Sequence, residues 1–210
     1  LANASHELRT PLTRIRMGLE LMGTQPSQAM REQIAQSITE VDQLIEEILL
    51  ASRVDSPEAN LGSVETVDLI GLAAEECARV SAHVRVLADP QALQLPGYPR
   101  LLRRLLRNLL DNARNYGPAG GELDIDLERP SPETLRLRVN DRGPGIPAQY
   151  IDQVFSPFFR LPGSAEGGVG LGLALVRSIV TRHHGRVWCE NRPGGGASFV
   201  VELPVQEGQA

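Results

Sequence analysis

The chain has 210 residues, room for one large domain or two smaller ones, and 41% of them are apolar, enough for a packed core. A formal net charge of -5 argues against a nucleic-acid-binding surface, which needs a basic stripe. Two cysteines far apart, Cys77 and Cys189, exclude a disulfide framework or a cysteine-built zinc site, and no apolar run approaches the roughly 18 residues of a membrane span.

Both thiols read as reduced and part-buried, as in a cytoplasmic domain. No signal peptide is visible. The chain starts abruptly, with no helix-start signal ahead of His6, and reads as a piece cut from something longer.

In chain order, Leu8, Leu12, Ile15, Leu19 and Met22 recur at steps of 4 and 3, and so do Ile34, Ile38, Val41, Ile45 and Ile48. That is heptad spacing, the seam of a coiled coil or four-helix bundle. Gly23–Ser27 between the runs reads as a turn. Residues 1–53 are therefore expected to form a helical hairpin, and a homodimer closing a four-helix bundle would cover its stripes. Residues 54–63 are polar, contain Pro and Gly, and read as a linker.

From 64 to 210 strand and helix patterns mix. Helices are expected over 69–80, 100–116 and 171–184, the last ended by Gly185. Strands are expected over 84–88, 123–127 and 135–140, with a hairpin around Pro193 and its three glycines joining Val187–Cys189 to Phe199–Leu203. This is an α+β domain with helices on one face of an antiparallel or mixed sheet. Trp188 and Met22 read as core, and His183 and His184 as structural residues closing a helix.

The stretch SHELRTPL sets His6 beside Glu7 ahead of Pro11. Proline lacks an N–H, and its ring crowds the carbonyl of Glu7, so the helix should bend at the turn holding His6. Neutral imidazole is a nucleophile near pH 7, and a nearby carboxylate can hold one ring nitrogen as N–H. Taken alone, the pair also fits an exposed histidine near a helix start. The octapeptide resembles the H-box of sensor histidine kinases. The resemblance implies His6 as phosphoacceptor, Glu7 as its general base and Thr10 as the residue that positions water for dephosphorylation.

Asn108, Asn112 and Asn115 lie on one face of the leucine-rich helix, which suggests a stripe lining a cavity; a solvated face is the plainer alternative. An amide oxygen can ligate Mg²⁺. NLLDNARNY resembles the family's N-box, which implies Asn112 as the Mg²⁺ ligand, Asn108 supporting the phosphates and Tyr116 packing near the nucleotide. Asn115 stands where the family usually has Lys or Arg. The nearest cation, Arg114, is one residue early and about 100° round the helix.

Asp141 follows a strand, with Gly143 and Gly145 giving a sharp turn and room for a flat ligand. It matches the G1 box, DxGxG, which implies Asp141 as the reader of the adenine amine. Phe155, Phe158 and Phe159 cluster in VFSPFFR, where they read as core or as anchors for a flexible segment. The stretch resembles the F-box and implies Arg160 at the γ-phosphate. Gly168, Gly170, Leu171 and Gly172 open a helix, whose N-terminus favours anions. They fit the G2 box, with residues 142–167 a mobile lid over ATP.

Five boxes in this order identify the chain as similar to the sensor histidine kinase core. The implied fold is multidomain: a helical hairpin forming a dimeric four-helix bundle, then an α/β sandwich ATPase domain of the histidine kinase (Bergerat) type. The implied chemistry is ATP- and Mg²⁺-dependent phosphorylation of His6, then transfer to an aspartate of a response-regulator receiver domain, with phosphatase activity toward that regulator. The full-length protein is expected to be anchored in a bacterial inner membrane, with this part in the cytoplasm. Two rivals stay open: a scaffold with a degenerate nucleotide site, fed by Asn115, and an ATPase of the chaperone or topoisomerase kind.

Overall fold

A computed structural model of the chain describes residues 11–19, 27–56, 58–118, 121–162 and 170–205. Contacts divide the chain into two units, Leu1–Ser52 and Arg53–Ala210.

In the first unit residues 11–19 form helix α1, and Gln28–Asp55 form α2. The Ser27 hydroxyl accepts the Met30 N–H at 3.3 Å, satisfying one of the N–H groups that a helix start leaves unpaired. Most of the expected turn lies outside the described residues. The helices meet closely at Gly18, where an added Cβ would stand 2.8 Å from Ile34 Cδ1. The apolar residues fall in one stripe per helix, as the heptad spacing expects, and the two sides of that stripe differ in burial. Ile15, Ile34, Val41 and Ile48 are half-buried and Leu44 is buried. Leu12, Leu19, Ile38, Ile45 and Leu49 remain between 44% and 53% exposed. A helix with neighbours on two sides needs an apolar face wider than a strict a/d seam. α2 also runs to Asp55, two residues into the stretch read as linker, and stops ahead of Pro57, which disfavours helix in the residue before it.

In the second unit the order is β1 (Glu65–Asp68), α3 (Leu69–Val80), β2 (His83–Val86), β3 (Gln94–Gly97), α4 (Pro99–Tyr116), β4 (Asp124–Ser131), β5 (Thr134–Asn140), α5 (Gly172–Arg182), β6 (Arg186–Asn191) and β7 (Ala197–Pro204). Five strands form one sheet in the order β2-β4-β5-β7-β6, with only the β2–β4 pair parallel. β1 and β3 pair antiparallel in a separate ribbon that the sequence reading missed, each strand being four residues with no alternation to see. Local signals set the helix starts: the Asp68 carboxylate accepts the Ile70 N–H at 3.0 Å, and Pro99 opens α4.

Alternation along the strands sorts the sheet into two faces. Ile125, Leu127, Leu135, Leu137, Val139, Phe199, Val201 and Leu203 are buried on the side where α4 and α5 pack. The other face carries charge that is neutralised internally. Arg85 holds Asp126 at 2.6 and 2.9 Å, Asn140 donates to Asp126 at 2.9 Å, Arg136 donates to Glu202 at 2.8 Å, and Arg138 reaches Glu190 at 2.7 Å. Trp188, expected in the core, is half-buried on this outer face under the Arg186 guanidinium, 5.4 Å from the ring centroid. It sits in register with Val200, which puts it on the charged side.

His183 is buried at the end of α5. Burial holds its imidazole below its ordinary 6.5, so the ring is neutral. The ring pairs through Nδ1 with the Ile179 carbonyl at 2.8 Å, and Nε2 accepts the Tyr98 N–H at 3.1 Å, which assigns the proton to Nδ1. This pins the end of α5 to the start of α4, a structural role as the sequence suggested.

Glu76 pins α3 to α4. It is 2% exposed and contacts Arg107 at 3.0 and 3.1 Å and Arg79 and Arg103 at 3.3 Å. Burial pushes its carboxyl up, but hydrogen bonds and charge from Arg107, with Arg103 and Arg79, outweigh this and hold it below 4.5. Glu202 is held down in the same way by Arg186 and Arg136 against its burial. Both groups bind protons less readily folded than unfolded. Their contribution to stability is therefore complete above pH 4.5 and is lost as pH falls through the lowered values. The denaturant midpoint should drop steeply in that acid range. Glu76→Gln should cost about 2 kcal/mol at neutral pH and show a shallower acid decline, since it removes a titrating group. Equal acid slopes in both proteins would remove Glu76 from this account.

Candidate nucleotide site

The asparagine stripe of α4 passes from interior to surface. Asn108 is buried, Asn112 half-buried and Asn115 exposed. The Asn108 amide donates to the Gly172 carbonyl at 3.1 Å, which fastens the first residue of α5 against the middle of α4. One of its two N–H donors is thus engaged by protein. Among the described residues no side chain caps the N-terminus of α5, and Leu171 before it is buried. A helix start of this kind favours an anion.

Asp141 sits at the end of β5, 3% exposed. Its Oδ1 accepts two backbone N–H groups, from Gly143 at 2.8 Å and Ala197 at 3.0 Å. Among the described residues no hydrogen bond reaches Oδ2. One oxygen therefore fixes the carboxylate and the other is left as an acceptor.

The glycines around it are required by close backbone approach. A Cβ on Gly143 would stand 2.4 Å from the Tyr116 carbonyl oxygen, so this loop rests directly on the end of α4. The sequence reading gave that glycine a sharp turn and room for a flat ligand; on the side where a Cβ would stand, the space is taken by the protein's own backbone. Gly145 has φ +79, where side chains are disfavoured. Gly170 has φ +74, and a Cβ there would come within 2.7 Å of the Phe159 carbonyl oxygen.

Those contacts anchor the segment between Asp141 and α5. The Phe158 N–H donates to the Gly170 carbonyl at 2.9 Å. Phe155 is buried edge-to-face on Phe199, with centroids 6.2 Å apart, and Phe159 stacks near Tyr150 at 5.6 Å. Of the three phenylalanines only Phe155 is fully core. Arg160 is half-buried, next in the chain to the Phe159–Gly170 contact. Tyr116 is half-buried at the end of α4.

The structure thus draws Asn108, Asn112, Tyr116, Asp141, Gly143, Gly145, Gly170, Leu171 and Gly172 from three segments into one region between α4, the end of β5 and the start of α5. Asn115 is at its rim. Arg114 is exposed and lines a cavity of about 330 Å³ with Val80, Ser81, His83 and Glu122. His6, Glu7, Thr10 and Gly168 lie outside the described residues. Sequence reasoning missed Asn191, whose amide holds the loop after Gly145: it accepts the Ile146 N–H and donates to the Ile146 carbonyl, both at 2.7 Å. Nothing local signalled this, because the partner lies 45 residues away.

Residues 97–207 match the family of histidine kinase-, DNA gyrase B- and HSP90-like ATPases, and residues 1–57 match the His Kinase A (phospho-acceptor) domain. The sensor histidine kinase GtrS of Pseudomonas aeruginosa is 36% identical over 201 residues, 95% of this chain and 40% of that protein. The signal transduction histidine-protein kinase/phosphatase MprB of Mycolicibacterium paratuberculosis is 34% identical over 97% of this chain and 42% of its own length. The chain therefore spans less than half of these two relatives. Among solved structures, the Acinetobacter baumannii histidine kinase AdeS superposes with a TM-score of 0.78 at 24% identity, covering 96% of this chain and 98% of that one, a likeness of fold.

Proposed function

Because the chain belongs to the two-component sensor histidine kinases, as its matches across both units establish, we propose that it is the kinase core that phosphorylates His6 from ATP and passes the phosphoryl group to an aspartate of a response regulator. The observation that carries this reading is the region around Asp141. A carboxylate oxygen fixed by two N–H groups leaves its mate to accept the adenine amine, while the amide stripe and the uncapped start of α5 face the phosphates.

In the proposed step an imidazole nitrogen of His6 attacks the γ-phosphorus. The bond from that phosphorus to the β–γ bridging oxygen breaks, and ADP leaves. The proton displaced from the ring goes to Glu7. Positioning and neutralisation of charge do most of the work in such a transfer. Arg160 would meet the charge that develops on the transferred group. Magnesium, when bound, would neutralise phosphate charge. Asn112 would supply one amide oxygen, and among the described residues no cluster of three His, Cys, Asp or Glu side chains converges to hold a metal alone. With Asn115 in place of a cation, neutralisation would fall to Arg160 and the metal.

A second copy of the chain is the proposed partner for the hairpin. The exposed Leu12, Leu19, Ile38, Ile45 and Leu49 recur at helical spacing and would be covered in a four-helix bundle. No helix among the described residues is long and apolar enough to cross a membrane; anchoring of the full-length protein rests on the family alone. The proposed output includes hydrolysis of the regulator's phosphoaspartate, with Thr10 positioning the water. Thr10→Ala should leave phosphorylation of His6 within about twofold and slow dephosphorylation of a phosphorylated receiver domain by about a hundredfold. Full phosphatase activity in that variant would remove Thr10 from the mechanism.

A further inference from the structure

The turn between β6 and β7 does more than reverse the chain. Gly194, Gly195 and Gly196 all have positive φ, and the turn curls over the loop that follows Asp141. Asn191 is hydrogen-bonded to both backbone groups of Ile146 at 2.7 Å. Arg192 donates to the Asp141 carbonyl at 2.8 Å. Gly196 lies so close that an added Cβ would stand 2.1 Å from that same carbonyl oxygen. At Gly145 an added Cβ would meet the Asn191 Oδ1 at 2.7 Å. The second glycine of the D-x-G-x-G stretch is therefore needed twice: for its backbone angle and to let Asn191 in.

We infer that Asn191 is a positioning residue for nucleotide binding: its amide, backed by Arg192, clamps the Asp141–Ile146 loop so that Asp141 Oδ2 is presented at a fixed place. This deepens the reading of Asp141 as the adenine acceptor and rests on it. Asn191 does not touch the nucleotide in this account. It acts by keeping the loop in its binding shape before the nucleotide arrives, which lowers the cost of ordering it. An amide supplies an acceptor and a donor on two adjacent atoms, which matches one residue's N–H and carbonyl.

The test uses the whole chain with Asn191→Ala and Asn191→Asp. Asn191→Ala should raise the KM for ATP and the dissociation constant for ADP about tenfold, as expected for two lost hydrogen bonds, and leave kcat within about twofold. Asn191→Asp keeps the acceptor for the Ile146 N–H but sets an anionic oxygen against the Ile146 carbonyl, so it should lose at least as much. Hydrogen exchange without nucleotide should speed up in a peptide spanning residues 142–147 in both variants, while peptides from β4 and β5 keep wild-type protection, and the thermal midpoint should fall because both backbone groups of Ile146 lose their partner. Unchanged exchange there would overturn the clamp, and so would unchanged ADP affinity in a protein whose wild type binds ADP. A wild type that binds no nucleotide would instead defeat the reading of the site, and the exchange data would still decide the clamp.

Discussion

Asp141→Asn should lower ATP affinity by about a hundredfold or more while leaving the fold in place. The asparagine can keep its Oδ1 on the Gly143 and Ala197 N–H groups, so the loop stays seated. The other position then carries an NH2 donor where the carboxylate held an acceptor. An adenine amine arriving there meets donor against donor. A hydrogen bond to a charged group is lost and a polar contact becomes repulsive, about 3 kcal/mol together. Asp141→Ala loses the acceptor as well and frees two buried N–H groups, so it should also lower the thermal midpoint. The pair separates reading from scaffolding. Isothermal titration with ADP and ATP, beside thermal melts, measures both. ATP affinity in Asp141→Asn equal to wild type would mean that Oδ2 does not meet the nucleotide.

Much of the fold was legible in the sequence because its signals are local. α4 opens at Pro99 and its leucines fall on one side at helical spacing, so both its extent and its buried face could be read. β5 and the first half of β4, residues 124–128, alternate apolar and polar residues, and that alternation became the two faces of the sheet. The β1–β3 ribbon was not legible, since two four-residue strands carry no period and their pairing joins residues about thirty apart. How burial varies across the apolar stripe of the hairpin was also hidden. Heptads give spacing, but Gly18 sets how closely the helices approach, and a single glycine in a helix has no pattern.

The site was legible to the extent that its motifs are contiguous. D-x-G-x-G placed Asp141 and its turn, yet the sequence could not show that Gly143 answers to the Tyr116 carbonyl or Gly145 to Asn191. Those reasons are contacts between segments far apart in the chain. Arg114 was flagged by helical geometry alone, and it lines a cavity with Val80, Ser81 and His83. Asn191 escaped because an asparagine ahead of Arg, Pro and three glycines reads as ordinary turn chemistry.

The second large effect concerns His6. If the nucleotide lobe delivers its γ-phosphate to this imidazole, His6→Gln should abolish transfer while nucleotide binding stays intact, since glutamine keeps polarity and size but has no nucleophilic ring nitrogen. A scaffold would take up no phosphate in either protein. An ATPase of the chaperone or topoisomerase kind would turn over ATP equally in both. The decisive measurement is therefore incubation of wild type and His6→Gln with γ-labelled ATP and magnesium, followed by acid and base treatment of the protein. The account predicts label on the wild type that is lost in acid and stable in base, and none on His6→Gln. Equal label on both proteins, or none on a wild type that binds ATP, would contradict it.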